Sequence, residues 1–195
     1  EVLVNVALAG VDAATQNADG EVRVLEVGVG TGCISLSIAT ERPQTRVYAT
    51  DLSPQAIALA TRNRDALDLQ ERVELIECDL VEGVPTELAQ SFSVLVSNPP
   101  YIPTNVLEQE VPAEVKGFEP ELALDGGEDG LDVYRRLLEA APHMLLPGGM
   151  LCVELYEGHL DKAAHLAEEQ GVWESVEVKE DLTHRPRILV AHLAK

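Results

Sequence analysis

The chain has 195 residues, with 14 Lys and Arg against 34 Asp and Glu, for a formal net charge of −20. That balance excludes a general phosphate-backbone binder: nucleic-acid affinity rests largely on Lys and Arg displacing counterions, and basic residues come at most in local pairs, such as Arg135 with Arg136, beside acids. At 46% hydrophobic and 25% charged, the chain reads as one globular domain with a sizeable core, and without a membrane span or a basic secretory start it reads as soluble and cytoplasmic.

Val2, Leu3, Val6 and Ala7 fit a short amphipathic helix, and Gly10 to Gly20, rich in Ala, Asn, Asp and Gly, reads as a loop. Val22 to Val27 is a β-branched run that breaks into glycines, and Thr31 to Thr40 follows with helical spacing of Ile34, Leu36 and Ile38. Arg46 to Thr50 reads as a strand, and Pro54 to Leu67 as a helix opened by Ser53 as N-cap with Pro54 at its first position. Val73 to Cys78 reads as a strand, Pro85 to Gln90 as a short helix at best, and Phe92 to Ser97 as a strand. From Asn98 to Gly130 prolines and glycines recur with no sustained period, and irregular segments of such length are often functional. Leu131 to Ala141 then reads as a helix, Met150 to Leu155 as a strand and His159 to Gln170 as a helix. A closing hairpin pairs Trp173 to Lys179 with Arg187 to His192.

Strands alternating with helices predict an α/β fold, a doubly wound Rossmann-like sheet, mostly parallel, with an antiparallel strand near the C-terminus. Cys33, Cys78 and Cys152 lack disulfide or zinc spacing and read as small buried hydrophobes. The five histidines are scattered, so no metal site is expected. Trp173 reads as core packing, and Asp181 with Arg187 as a partly buried supporting pair.

The first strand ends in Glu26-Val27-Gly28-Val29-Gly30-Thr31-Gly32-Cys33. Glycines there let the backbone turn sharply and let a ligand approach main-chain N–H groups at a helix start. The dinucleotide fingerprint would need a glycine where Cys33 stands, and no Gly-Lys-Ser/Thr of a Walker loop follows. Glu/Asp-x-Gly-x-Gly-x-Gly resembles the cofactor loop of class I methyltransferases that use S-adenosylmethionine. At the end of the second strand Asp51, followed by Leu52, can accept from ribose hydroxyls. Asp79 and Leu80, ending the third, offer an acid and an apolar neighbour to the adenine.

The fourth strand delivers Asn98-Pro99-Pro100-Tyr101 to the same sheet edge. Two prolines stiffen the backbone, remove two N–H donors and leave carbonyls free to accept from an NH₂ group, as the Asn98 side-chain oxygen also can, while Tyr101 can flank a planar group. Enzymes that methylate planar NH₂ groups, adenine-amino DNA methyltransferases and glutamine-amide protein methyltransferases, share this tetrad. Gly117-Phe118-Glu119-Pro120, with Leu122 to Arg135, is similar to the HemK-type release-factor glutamine methyltransferases, and the resemblance spans about residues 22 to 190.

That resemblance implies transfer of a methyl group from S-adenosylmethionine to the glutamine amide of the Gly-Gly-Gln loop in peptide-chain release factors. Carried over, Glu26 and Gly28, Val29, Gly30, Thr31 and Gly32 hold the methionine end of the cofactor, Asp51 with Leu52 the ribose, and Asp79 with Leu80 the adenine. Asn98 also borders the cofactor. Asn98, Pro99, Pro100 and Tyr101 clamp the substrate amide. Read from its place before Pro120, Glu119 either orients the tetrad, beside the substrate, or caps the loop as structure. Leu80 stands where an aromatic neighbour is frequent. The expected organisation is a helix and linker at 1–21, remnant of a recognition region, and a catalytic domain at 22–195. Rival readings are a ribosomal-protein glutamine as substrate, adenine methylation in DNA, and a non-catalytic cofactor-binding subunit. No membrane, metal or nucleic-acid partner is expected.

Overall fold

The computed structural model of the protein describes residues 1–17, 20–109 and 124–195. The chain opens with α1 (Val2–Asn17), followed by β1 (Val22–Val27), α2 (Cys33–Glu41), β2 (Thr45–Asp51), α3 (Pro54–Ala66), β3 (Val73–Glu77), β4 (Phe92–Ser97) and α4 (Thr104–Gln109). Next come α5 (Asp132–Met144), β5 (Leu145–Glu154), α6 (Leu160–Glu169), β6 (Trp173–Glu180) and β7 (Pro186–Leu193). Among the described residues these strands form one seven-stranded sheet in the order β3-β2-β1-β4-β5-β7-β6. β1 through β5 pair in parallel, and β7 lies antiparallel between β5 and β6. This is the doubly wound, mostly parallel sheet expected.

Because the central strands are covered on both faces, their side chains divide by period two. Leu25, Val27, Leu95, Leu151, Val153 and Leu189 face α5 and α6, where Leu131, Tyr134, Leu137 and Leu160 complete one core. Val22, Val24, Val47, Val94, Val96 and Val190 face α1 and α2, meeting Leu3, Ala7, Val11, Leu36 and Ile38. Each fully buried apolar side chain of this size contributes about 1.5–3 kcal/mol. The Tyr134 hydroxyl donates to the Ala163 carbonyl at 2.8 Å, tying α5 to α6, and burial pushes its pKa up.

Several elements differ from the sequence expectation. α1 continues through Gly10 to Asn17 instead of ending in a loop. A Cβ at Gly10 would lie 2.3 Å from the terminal methyl of Met150 and 3.0 Å from Val94 Cγ2, so α1 crosses close over the sheet there and a larger residue would require the Met150 side chain to shift. Arg42 holds Asp12 of α1 with two hydrogen bonds, at 2.6 and 2.8 Å. α5 runs past Pro142 to Met144. A proline cannot donate to the carbonyl four residues earlier, and here Gln170 Nε2 donates to that Leu138 carbonyl instead, at 3.2 Å. β5 starts at Leu145 because Leu145 pairs with Phe92 ahead of a register shift. α4 forms within the stretch read as irregular, and its Leu107 is buried. Cys152 is buried as expected, but Cys33 is exposed and Cys78 half-buried, because the first lies on the outer turn of α2 and the second follows β3 at the rim. Trp173 packs against the α5/α6 core, and Arg187 Nε lies 3.6 Å from Asp181 Oδ2.

Candidate active site

Strand order reverses between β1 and β4, and ligands of doubly wound sheets bind outside the carboxyl ends of the strands at such a switch point. Val27 pairs with Ser97, so Gly28 and Asn98 leave adjacent strands side by side. The Ser97 hydroxyl donates to the Val27 carbonyl at 2.7 Å, below both turns. Thr50 pairs with Val27 and Asp51 with Glu77, which places Asp51 next along the row and Asp79 beyond it. The sequence motifs thus lie along one sheet edge.

The Gly28 and Val29 N–H groups both donate to the Thr50 carbonyl at 2.9 Å, which bends the chain off β1. Gly28 and Gly30 have φ of 81° and 52°, and a Cβ on either would meet nothing within 4 Å. Their need for glycine is therefore conformational, and the space above them is open. Asn63 Nδ2 donates to the Thr31 carbonyl at 2.8 Å, fastening the loop to α3.

The Asp51 carboxylate accepts from Gly30 N–H at 2.9 Å through Oδ2 and from Ser53 N–H at 2.8 Å through Oδ1. Each oxygen retains acceptor capacity, so Asp51 can shape the loop and still receive donors from a ligand. Leu52 beside it is 51% exposed. Leu80 adopts the left-handed region with φ of 46° and packs partly into the α5/α6 core, leaving Leu52 as the more open apolar surface. Asp79 Oδ2 accepts from Arg136 at 2.8 Å.

Glu26 sits differently from a ligand contact. It is 1% exposed, and its Oε2 accepts from the Ser35 N–H at 2.9 Å and from the Ser35 hydroxyl. It therefore fastens the glycine turn to the first turn of α2. Burial, outweighing these hydrogen bonds, pushes its carboxyl up to about 8. The folded state thus binds this proton more tightly than the unfolded chain, so the associated stability is full below about pH 4.5 and is lost as pH rises through 8. Between pH 5 and 8 the unfolding free energy should fall by a few kcal/mol more in the wild type than in Glu26→Gln, at ~1.4 kcal/mol per pKa unit. Parallel pH dependence in urea melts of the two proteins would remove this assignment.

Asn98 is exposed at the end of β4, Pro99 is buried, and Pro100 and Tyr101 are half-buried. A strap then locks the tetrad from behind. Ile102 N–H donates to the Leu124 carbonyl at 3.0 Å, Gly126 N–H to the Ile102 carbonyl at 2.8 Å, and Thr104 N–H to the Gly127 carbonyl at 2.9 Å. Asp129, further along the strap, is gripped by Arg135 at 2.9 Å and Lys162 at 2.6 Å, which hold its carboxyl well below the usual range. Behind the strap lies His159, whose Nδ1 is buried with no hydrogen-bond partner among the described residues. Glu119, expected to orient the tetrad, lies outside the described residues, as do Gly117, Phe118 and Pro120.

Sequence reasoning missed Ser35, Asn63 and Arg136. Only Arg136 left a signal, as half of a basic pair with no assigned task. Among the described residues no group of three or more His, Cys, Asp or Glu is arranged to hold a metal, and no helix is long and apolar enough to cross a membrane.

A family model described as "methyltransferase small domain" matches residues 11–115. A release factor glutamine methyltransferase from Geobacter sulfurreducens is 46% identical over 151 residues, covering 77% of this chain and 51% of that protein. The same-named protein from Clostridium acetobutylicum is 38% identical over 172 residues, covering 87% of this chain and 58% of that protein. The chain thus spans between half and three fifths of the length of these relatives. A solved methyltransferase from Pyrococcus furiosus superposes with a TM-score of 0.65 at 22% identity, covering 90% of this chain and 76% of that one, and shares the fold. With the family model covering more than half of a chain whose glycine loop, acidic strand ends and tetrad share one sheet edge, the protein belongs to the methyltransferase small domain family.

Proposed function

We propose that the protein methylates the side-chain amide nitrogen of a protein glutamine, that of the Gly-Gly-Gln loop of a peptide-chain release factor, with S-adenosylmethionine as donor. The observation that carries this reading is the emergence of Asn98 next to Gly28 on adjacent parallel strands. It supports reading the tetrad as an amide clamp, because the tetrad leaves the sheet beside a glycine loop with open space above it. The names of the relatives from Geobacter sulfurreducens and Clostridium acetobutylicum favour glutamine over adenine, and a net charge of −20 disfavours DNA.

The residues present fit the cofactor. The open space over Gly28 and Gly30 suits its methionine end, with Val29, Thr31 and Gly32 completing the turn, the spare acceptor capacity of Asp51 suits ribose hydroxyls, and Leu52, Asp79 and Leu80 suit adenine. When bound, the cofactor supplies an electrophilic methyl group. The chain's own part is orientation: the Asn98 side-chain oxygen and the tetrad carbonyls accept from the substrate NH₂ and aim its nitrogen, and Tyr101 flanks the amide plane. Holding reactants in attack geometry is worth up to about 7–11 kcal/mol. Glu119 is assigned to support the tetrad, and catalysis to residues 22–195, with α1 packed on their sheet.

The direct test is mass spectrometry of intact release factor after incubation with the protein and S-adenosylmethionine. One added methyl on the Gly-Gly-Gln glutamine supports the reading. Methyl transfer to a ribosomal protein or to DNA, with none to release factor, would replace it.

Gly130 gives a second test. It has φ of 75°, and a Cβ there would lie 2.5 Å from both His159 Cε1 and the Tyr101 carbonyl oxygen. Gly130→Ala should push the tetrad outward and lower kcat by about tenfold or more, since displacements of about 1 Å can cost 10²-fold. Affinity for S-adenosylhomocysteine, measured by calorimetry, should hold within about twofold, the glycine loop being untouched; a normal kcat would show that the strap does not set the tetrad.

A further inference from the structure

We propose that Arg136 is a positioning residue for the purine, holding one oxygen of the Asp79 carboxylate so that the other meets an exocyclic amine; this rests on the reading that the sheet edge binds S-adenosylmethionine. Arg136 lies in the second turn of α5, and its Nη2 reaches Asp79 Oδ2 at 2.8 Å across 57 residues of chain. Oδ1 makes no hydrogen bond among the described residues.

The backbone at this corner is already set without the arginine. Glu82 N–H donates to the Asp79 carbonyl at 3.0 Å, and Leu80 holds its left-handed conformation. What the turn does not set is the direction of the Asp79 side chain. Glu82 lies close enough for its charge, like that of Asp79, to act on the Arg136 guanidinium. Without that cation the two carboxylates would repel each other, and Asp79 would swing toward solvent. The pair is half-exposed, 50% and 36% for the two side chains, and such pairs contribute little to stability in water, about 0–1 kcal/mol. Its effect belongs to ligand binding, where a purine displaces water and a fixed acceptor selects its partner.

The selection is chemical. A purine with an amine at its six position donates to a carboxylate oxygen; one with a carbonyl there brings an acceptor against an acceptor, leaving buried groups unpaired. Neighbouring Arg135 reaches the other way, to Asp129 and Asp132, so the start of α5 braces both sides of the site.

The test is calorimetry of S-adenosylhomocysteine and its deaminated analogue, S-inosylhomocysteine, on wild type, Arg136→Ala, Arg136→Gln and Arg136→Lys. Wild type should prefer the adenosyl compound by about 30-fold or more. The Ala and Gln variants should bind it about tenfold more weakly and the inosyl compound equally, so that the preference collapses, while Lys restores most of it. A residue that merely supported the fold would weaken both compounds together. A preference kept in Ala and Gln variants with wild-type melting overturns the role of Arg136 alone. A wild type that binds neither compound overturns the cofactor reading and this proposal with it.

Discussion

Asn98→Ala should lower kcat for glutamine methylation by about 10²–10³, the loss typical of removing one preorganised polar group at a reacting centre, with S-adenosylhomocysteine affinity changed by less than about threefold. Its side chain is exposed just beyond a strand that is buried except at half-buried Ser93, so truncation leaves no cavity and no unpaired buried group. The backbone beneath is secured by Ser97 to Val27 and Val153, and by the strap from Leu124 to Gly127. The variant should therefore fold and melt like the wild type. The loss should fall on kcat, because an amide bound but misaligned keeps part of its affinity while losing its aim. Asn98→Asp keeps an acceptor oxygen and should lie between the two. Steady-state kinetics on intact release factor decide the point: an alanine variant at the parent rate places the clamp elsewhere.

The largest binding effect is expected at Asp51. Both its oxygens accept backbone N–H groups, one from the glycine loop and one from the start of the turn into α3, at 2.9 and 2.8 Å. Hydrogen bonds to a charged group contribute about 1.5–3 kcal/mol each, and Asp51→Ala removes two of them along with the proposed ribose anchor. Cofactor affinity should drop by about 10²-fold or more, roughly 3 kcal/mol, and the melting temperature by several degrees. Asp51→Asn separates the roles, since its amide keeps one acceptor and turns an NH₂ toward a donor. Calorimetry with S-adenosylhomocysteine checks both; an alanine variant binding within threefold of wild type would show that Asp51 only shapes the loop.

Much of this site can be read before any coordinates. β1 and β4 have their observed bounds in the sequence, because each is a short run rich in β-branched and other apolar residues that ends at a turn-forming Gly28 or Asn98-Pro99. The motifs at their ends then fall side by side by topology alone. What could not be read depends on contacts between distant segments. The composition after Gly10 resembles a loop, and the close approach of α1 to Met150 and Val94 is visible only in the fold. Pro142 looks like a helix end until Gln170 supplies the missing donor. Glu26 fits a cofactor motif by position, yet its side chain turns inward to Ser35, a direction no spacing rule reports. Arg136 and Asp79 are too far apart in the chain for local patterning to join them.

The strand order leaves β3 and β6 at the two ends of the sheet. Unpaired strand edges invite other chains to add on, and charged side chains are the usual deterrent. β3 carries Glu74 and Glu77, and β6, largely exposed along its length, carries Glu174, Glu177, Lys179 and Glu180. With a net charge of −20, copies of the chain also repel one another at long range, to the extent that salt permits. The acidity that disfavours DNA as a substrate thus also guards the sheet against edge-to-edge aggregation, and turbidity at low ionic strength should stay flat until the pH falls far enough to neutralise those edge carboxylates.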